Sequence, residues 1–160
     1  MGLKEAILKK GWAGHTISRE ETIERLNPLI KQQMALNHTY NHVIDHLSEP
    51  TITEHLAGSQ KTARVDVSKL AETVFSCGGV AYNGVDMEPE DFDLGDDEDE
   101  MLFQLLDQEQ AFHHALNDEE TVEHHIRTRA VLAILQTNSL QRLNYLKDHT
   151  KKRRRTSLSA

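Results

Sequence analysis

The stretch "LNPLIKQQMALNHTY", Leu26 to Tyr40, decides the fold. Leu26, Ile30, Gln33, Asn37 and Tyr40 recur at spacings of three and four, which is one face of an α-helix. The ends of that face are apolar or aromatic, and its centre carries two amides. A buried amide without a partner costs about 1–3 kcal/mol. The helix is therefore read as one wall of a bundle whose interior holds a hydrogen-bonded polar layer.

Outward from this stretch the helical period continues. Ile23, Ile44 and Leu47 extend the stripe, and Ser18 with Glu21 reads as a capping box at its start. Pro28 is expected to kink the helix or split off its first turns. Ser48 and Pro50 open a second helix. Its stripe is Ile52, Leu56, Ser59, Ala63, Asp66, Leu70, Thr73 and Cys77, and Gly78-Gly79 stops it. A third helix is expected from about Asp97 to Leu116, with Leu102, Leu105, Glu109, Phe112 and Leu116 inward. Its start is favoured by the acids Asp96 to Glu100 at the positive helix pole. Asn117-Asp118 then breaks and re-caps the chain. The fourth helix is expected from Glu119 to His149, with Val122, His125 or Ile126, Leu132, Gln136, Ser139, Leu143 and Leu146 inward. A short helix from Leu3 to Lys10 precedes all of these and ends in the turn "GWAG". No strand pattern and no internal repeat is present.

The fold class is thus all-α, a four-helix bundle. The link from Gly78 to Asp97 far exceeds the ~2–8 residues usual between neighbouring helices. Short links make helices 1–2 and 3–4 antiparallel pairs, and the long link carries the chain from one end to the other. This is the single-crossover arrangement. Residues 1–17 form an N-terminal extension, 18–149 the bundle with an acidic crossover at 86–100, and 150–160 a basic tail.

Composition agrees with a folded, water-exposed domain: of 160 residues, 38% are hydrophobic and 28% charged. The net charge of −8 is unevenly placed. Residues 86–100, "DMEPEDFDLGDDEDE", hold ten acids and no base, and "KKRRRTSLSA" at the end holds five bases and no acid. The remainder, with thirteen bases and sixteen acids, is nearly balanced. The single cysteine, Cys77, excludes an internal disulfide framework and reads as a small buried hydrophobe. No apolar run approaches the ~18 residues that span a bilayer, and no signal peptide is visible, so a cytoplasmic location without membrane attachment is expected.

"LNPLIKQQMALNHTY" resembles the first-helix pattern of bacterioferritins in the ferritin-like superfamily. There Leu-Asn begins the run, a Glu follows six residues after the Asn, and a Tyr seven residues later. The second-helix ending "ETVFSCGGVAYN" resembles that family's Gly turn, and with the crossover the resemblance spans about residues 18–148. It implies a pair of irons held by a Glu from each of two helices and Glu-x-x-His from each of the others. Carried over by position, those ligands fall on Gln33, on Ala63 and Asp66, and on Gln136 and Ser139. The haem-ligating Met falls on Arg64. Only Glu109 is placed as a surviving carboxylate. No Asp, Glu or His lies between Leu26 and Asn37, Leu56 and Val65, or Arg127 and Leu146. Gln33, Asn37, Asp66, Glu109, Gln136 and Ser139 are therefore candidates for a vestigial site, the amides and hydroxyls bonding one another where metal was held. A single metal on Asp66 and Glu109 is the competing reading.

Of ten histidines, His38, His42 and His46 recur every four residues but lie off the inward stripe, and His113-His114 and His124-His125 fall near the turn between the third and fourth helices. They read as exposed or interface histidines. The acidic crossover lacks the twelve-residue calcium-loop pattern and reads as a solvated connection. The tail Lys151–Arg155 is a candidate arm for nucleic acid or a protein partner. Its "TSLSA" shares a Ser-Leu pair with tails that carry ferritin-like cargo into encapsulin shells. No phosphate loop or nucleophile motif is found. The expectation is a homo-oligomeric, bacterioferritin-like protein without ferroxidase activity or cofactor, acting through assembly or partner binding. Its alternative is an iron-binding or storage protein with an altered site. A nucleic-acid-binding assembly is the third class.

Overall fold

The computed structural model describes residues 16–159, with side chains as far as Arg153. The helix expected at Leu3–Lys10 lies outside those residues. Four α-helices are present: α1 (Arg19–His46), α2 (Pro50–Ser76), α3 (Glu98–Asp118) and α4 (Ile126–Ser159). Short 3-10 turns occupy Pro89–Phe92 and Glu119–Thr121. Among the described residues there is no strand. No helix among them is long and apolar enough to cross a membrane.

The helices start where local chemistry favours them. The Ser18 hydroxyl accepts from the Glu21 N–H at 3.1 Å and Asp97 accepts from the Glu100 N–H at 2.9 Å. Each cap is worth about 1 kcal/mol. Pro50 occupies the first position of α2, where a missing N–H costs nothing. Ser48 does not cap that helix; its N–H donates instead to Glu98 at 2.6 Å. Gly78 ends α2 at φ +84°, and Gly79 follows with its α-carbon pressed against Ile23 of α1. A methyl on Gly79 would sit 2.6 Å from the Ile23 side chain.

Contrary to the sequence expectation, Pro28 does not divide α1, which is one helix through it. Pro28 is exposed, so water can meet the carbonyl that loses its bond. The start of α4 also differs. Glu119–Thr121 is a 3-10 turn, and Val122 is extended before the helix begins at Ile126. Glu119, expected as the start of the fourth helix, turns inward instead. At the other end α4 continues through the basic residues to Ser159.

α1 packs along α2 and α3, and α4 packs along α3 and α2. The core is built by side chains such as Leu26, Tyr40, Leu56, Leu102, Phe112 and Leu135, all essentially inaccessible. Each such burial contributes roughly 1.5–3 kcal/mol. At one end of the bundle, Arg153 of α4 meets Glu49 before α2 at 2.8 Å and Asp99 of α3 at 2.7 Å. At the other end, Arg25 of α1 forms a two-pronged pair with Glu119 at 2.8 and 2.9 Å. There Asn27 also holds the first residues after α2, donating to the Val80 carbonyl and accepting from the Tyr82 N–H.

The acidic connection is fastened along α1 rather than merely solvated. His38 stacks on Phe92 at 4.7 Å between centroids. The His42 Nε2 lies 2.9 Å from the Gly95 carbonyl and 3.3 Å from the Leu94 N–H, and its ring stacks on His46. His38 and His42, one helical turn apart, thus serve the connection, and His46 backs His42. Cys77 is half-buried at the end of α2 rather than in the core.

Candidate functional site

Halfway along the bundle the inward stripes turn polar, and side chains from all four helices meet. α1 supplies Gln33, Asn37 and Tyr40; α2 supplies Asp66; α3 supplies Glu109; α4 supplies Asn138, Ser139 and Arg142. Gln33, Asp66, Glu109 and Ser139 have no exposed surface, and Arg142 is 4% exposed.

Arg142 organises the cluster. Its Nε donates to Glu109 Oε1 at 2.6 Å, and its Nη2 reaches Glu109 Oε2 at 3.5 Å. Nη1 donates to Asp66 Oδ2 at 3.4 Å, and Nη2 to Gln33 Oε1 at 3.2 Å. The Tyr40 hydroxyl donates to Glu109 Oε1 at 2.8 Å, and the Ser139 hydroxyl to Glu109 Oε2 at 3.0 Å. Asn138 donates to Asp66 Oδ1 at 2.9 Å, and Gln33 donates to Asn37 at 3.2 Å. The guanidinium fork thus spans two carboxylates and an amide drawn from the three other helices.

Burial works against the charge of Arg142, but the charge of Glu109 and its hydrogen bond outweigh that, and the pKa of Arg142 is raised. Burial also raises Asp66, and Asn138 and Arg142 only partly offset it. Tyr40 is pushed well above the usual phenol value by burial, then by the negative charge of Glu109. Tyr40 therefore remains a neutral hydrogen-bond donor. Two carboxylates around one guanidinium leave at most one uncompensated negative charge, which Tyr40, Ser139 and Asn138 stabilise by donating hydrogen bonds.

A pair of irons does not fit this donor set. The carboxylate of Glu109 offers about four lone-pair directions. Arg142 with two nitrogens, Tyr40 and Ser139 already use them. Asp66 is engaged on both oxygens. A fixed guanidinium beside both carboxylates also repels a second cation. Among the described residues, no group of three or more His, Cys, Asp or Glu converges as metal ligands.

Four of the sequence candidates, Gln33, Asp66, Glu109 and Ser139, come together here, and Asn37 joins through Gln33. Gln136 does not. Its amide donates to Asn117 at 3.0 Å and Glu120 at 2.7 Å near the α3–α4 connection. The buried residues of α4 include Leu132, Leu135, Ser139, Arg142, Leu143 and Leu146, so Gln136 lies beside the stripe. The layer is also not neutral, as expected from sequence; it is an ion cluster. Arg142, its central member, is not a metal donor, and the ligand pattern carried over from sequence has no place for it. The available signal was a lone Arg at spacing three and four between Ser139 and Leu146. Arg64 lies outside the cluster, exposed, 3.4 Å from Asn41.

A second buried polar group closes the end of the bundle. Glu119 receives Arg25 and lies 3.0 Å from His124 Nε2. Burial alone would raise Glu119, but Arg25 and His124 outweigh it and hold the carboxyl below its ordinary value.

No family model, curated protein or solved structure matches the chain.

Proposed function

We propose that this chain is a ferritin-like, bacterioferritin-like bundle whose di-iron positions have been converted into a structural ion cluster. It acts through self-assembly or partner binding, without ferroxidase chemistry. The observation that carries this reading is the Arg142 guanidinium lying between Glu109 and Asp66. The register of the surrounding positions supports it. Gln33 and Glu109 stand singly on α1 and α3, while Ala63-x-x-Asp66 and Ser139-x-x-Arg142 stand at i, i+3 on α2 and α4. That is the layout of a di-iron carboxylate bundle with one position of its ligand set kept as a carboxylate and another changed from His to Asp. The end contacts support the crossover. The start of α2, the start of α3 and the late part of α4 meet at one end, which fits α2 and α3 running the same way.

The test is metal analysis and ferrous oxidation on natively purified protein, together with its mass in solution. Substoichiometric iron, no oxidation above buffer and a mass above one chain are expected. Stoichiometric iron with catalysed oxidation favours instead an iron-binding protein with an altered site on Asp66 and Glu109. A nucleic-acid arm at Lys151–Arg155 predicts DNA affinity that falls steeply with salt and is lost on truncation after Thr150.

A further inference from the structure

A pocket of about 320 Å³ lies between α1, α2 and the connection that follows α2. That is near the lower end of the range of small-molecule sites. Its polar lining includes Asn37, Asn41, Arg64 and Asn83. Among the described residues no Asp or Glu lines it, although the chain carries a net charge of −8.

Each of the three amides is turned so that its oxygen is used within the protein and its nitrogen is left over. The direction is set by groups that can only donate. Arg142 Nη2 donates to Gln33 Oε1 at 3.2 Å, so Gln33 offers Nε2, which donates to Asn37 Oδ1 at 3.2 Å. Asn37 is thereby left with Nδ2. The ion cluster thus fixes which end of Asn37 is free for the pocket. Asn41 Oδ1 accepts from Arg64 Nη2 at 3.4 Å and from Gln60 Nε2. Asn83 Oδ1 accepts the Val85 N–H at 3.1 Å. None of the three amide nitrogens meets an acceptor among the described residues, and Arg64 makes no ion pair there. The pocket is therefore rich in donors and holds one cation. Its other wall is apolar, made by Met34 and Val67. Gly84, at φ +84° less a few degrees of Gly78, is replaced here by its own value of +75°, and a Cβ there would lie 3.1 Å from the Met34 sulfur, so the connection closes tightly on this wall.

A donor-lined pocket suits a ligand that only accepts. One guanidinium matches one negative charge, and the apolar wall matches a short hydrocarbon end. We infer that this pocket binds a small organic monocarboxylate. Its oxygens accept from Arg64 and the asparagine amides, and its hydrocarbon end lies against Met34 and Val67. A phosphate dianion would meet one cation only, and an ammonium ion would meet no acceptor.

The experiment titrates isotope-labelled full-length protein with butyrate, and separately with inorganic phosphate and butylammonium, and follows the side-chain amide resonances. Expected are saturable shifts of the Asn37, Asn41 and Asn83 amides with butyrate, weaker binding of phosphate and no effect of butylammonium. Arg64→Gln, at an exposed position, weakens butyrate by at least about tenfold, the loss of a charge-assisted hydrogen bond. Asn83→Ala, on the exposed connection, removes one neutral donor and weakens it severalfold. No saturation by butyrate overturns the proposal. Unchanged affinity in either folded variant does the same, and so does phosphate or butylammonium binding more tightly than butyrate.

Discussion

At the scale of single residues, Arg142 decides what the centre of the bundle can be. A buried guanidinium is tolerated only where fixed acceptors surround it. Here Glu109, Asp66 and Gln33 do so. Removing it alone leaves two buried carboxylates without a counter-charge. Arg142→Met is therefore expected to lose about 3–5 kcal/mol. The triple change Arg142→Met, Asp66→Asn, Glu109→Gln is expected to regain much of that, because neutral side chains need no counter-charge. Denaturant unfolding of both variants measures this, and equal stabilities would contradict the role given to Arg142. The sequence made Gln33, Asn37, Asp66, Glu109 and Ser139 legible because they interrupt apolar stripes. It hid the sign of the cluster. A stripe read for iron donors passes over an arginine, and the carried-over Glu-x-x-His pattern falls on Gln136 and Ser139, one turn before Ser139 and Arg142.

At the scale of elements, the start of α1 and the end of α2 are legible, while the Ser48 cap, the break at Pro28 and the start of α4 do not come out as expected. Ser18 and Asp97 advertise their caps through local chemistry, and Gly78 ends α2 by adopting a positive φ. Acids after Asn117-Asp118 look like an exposed first turn. What pulls Glu119 inward is Arg25, ninety-four residues earlier, and no local pattern contains that partner. The pairing has a consequence for acid stability. Glu119 is held below its ordinary value in the folded chain, so the unfolded chain takes up the proton first. The contribution is whole above the ordinary glutamate value and is lost as pH falls through the folded one. Glu119→Gln is expected to be less stable at neutral pH and to lose less further stability on acidification. Unfolding free energies across a pH series check this; parallel curves for the two proteins would contradict it.

At the scale of the whole molecule, charge is arranged around the bundle rather than averaged over it. The acidic connection is tied to α1 by His38 and His42, and Arg153 of the basic end meets Glu49 and Asp99. Segments that composition presents as separate are therefore joined to the body. The all-helical architecture was legible because period, caps and link lengths agree with one another. The fastening of the connection was not, since it depends on rings meeting backbone groups fifty residues away. The central claim is that this frame holds an ion cluster where a metal pair would fit if its ligands were present. Its most direct test is a cobalt(II) titration followed by visible absorbance. It compares the natural chain with the variant Gln33→Glu, Ala63→Glu, Asp66→His, Ser139→Glu, Arg142→His. The account predicts no saturable spectrum for the natural chain and uptake of roughly two equivalents by the folded variant. Saturable binding by the natural chain, or a folded variant that takes up no cobalt, would contradict it.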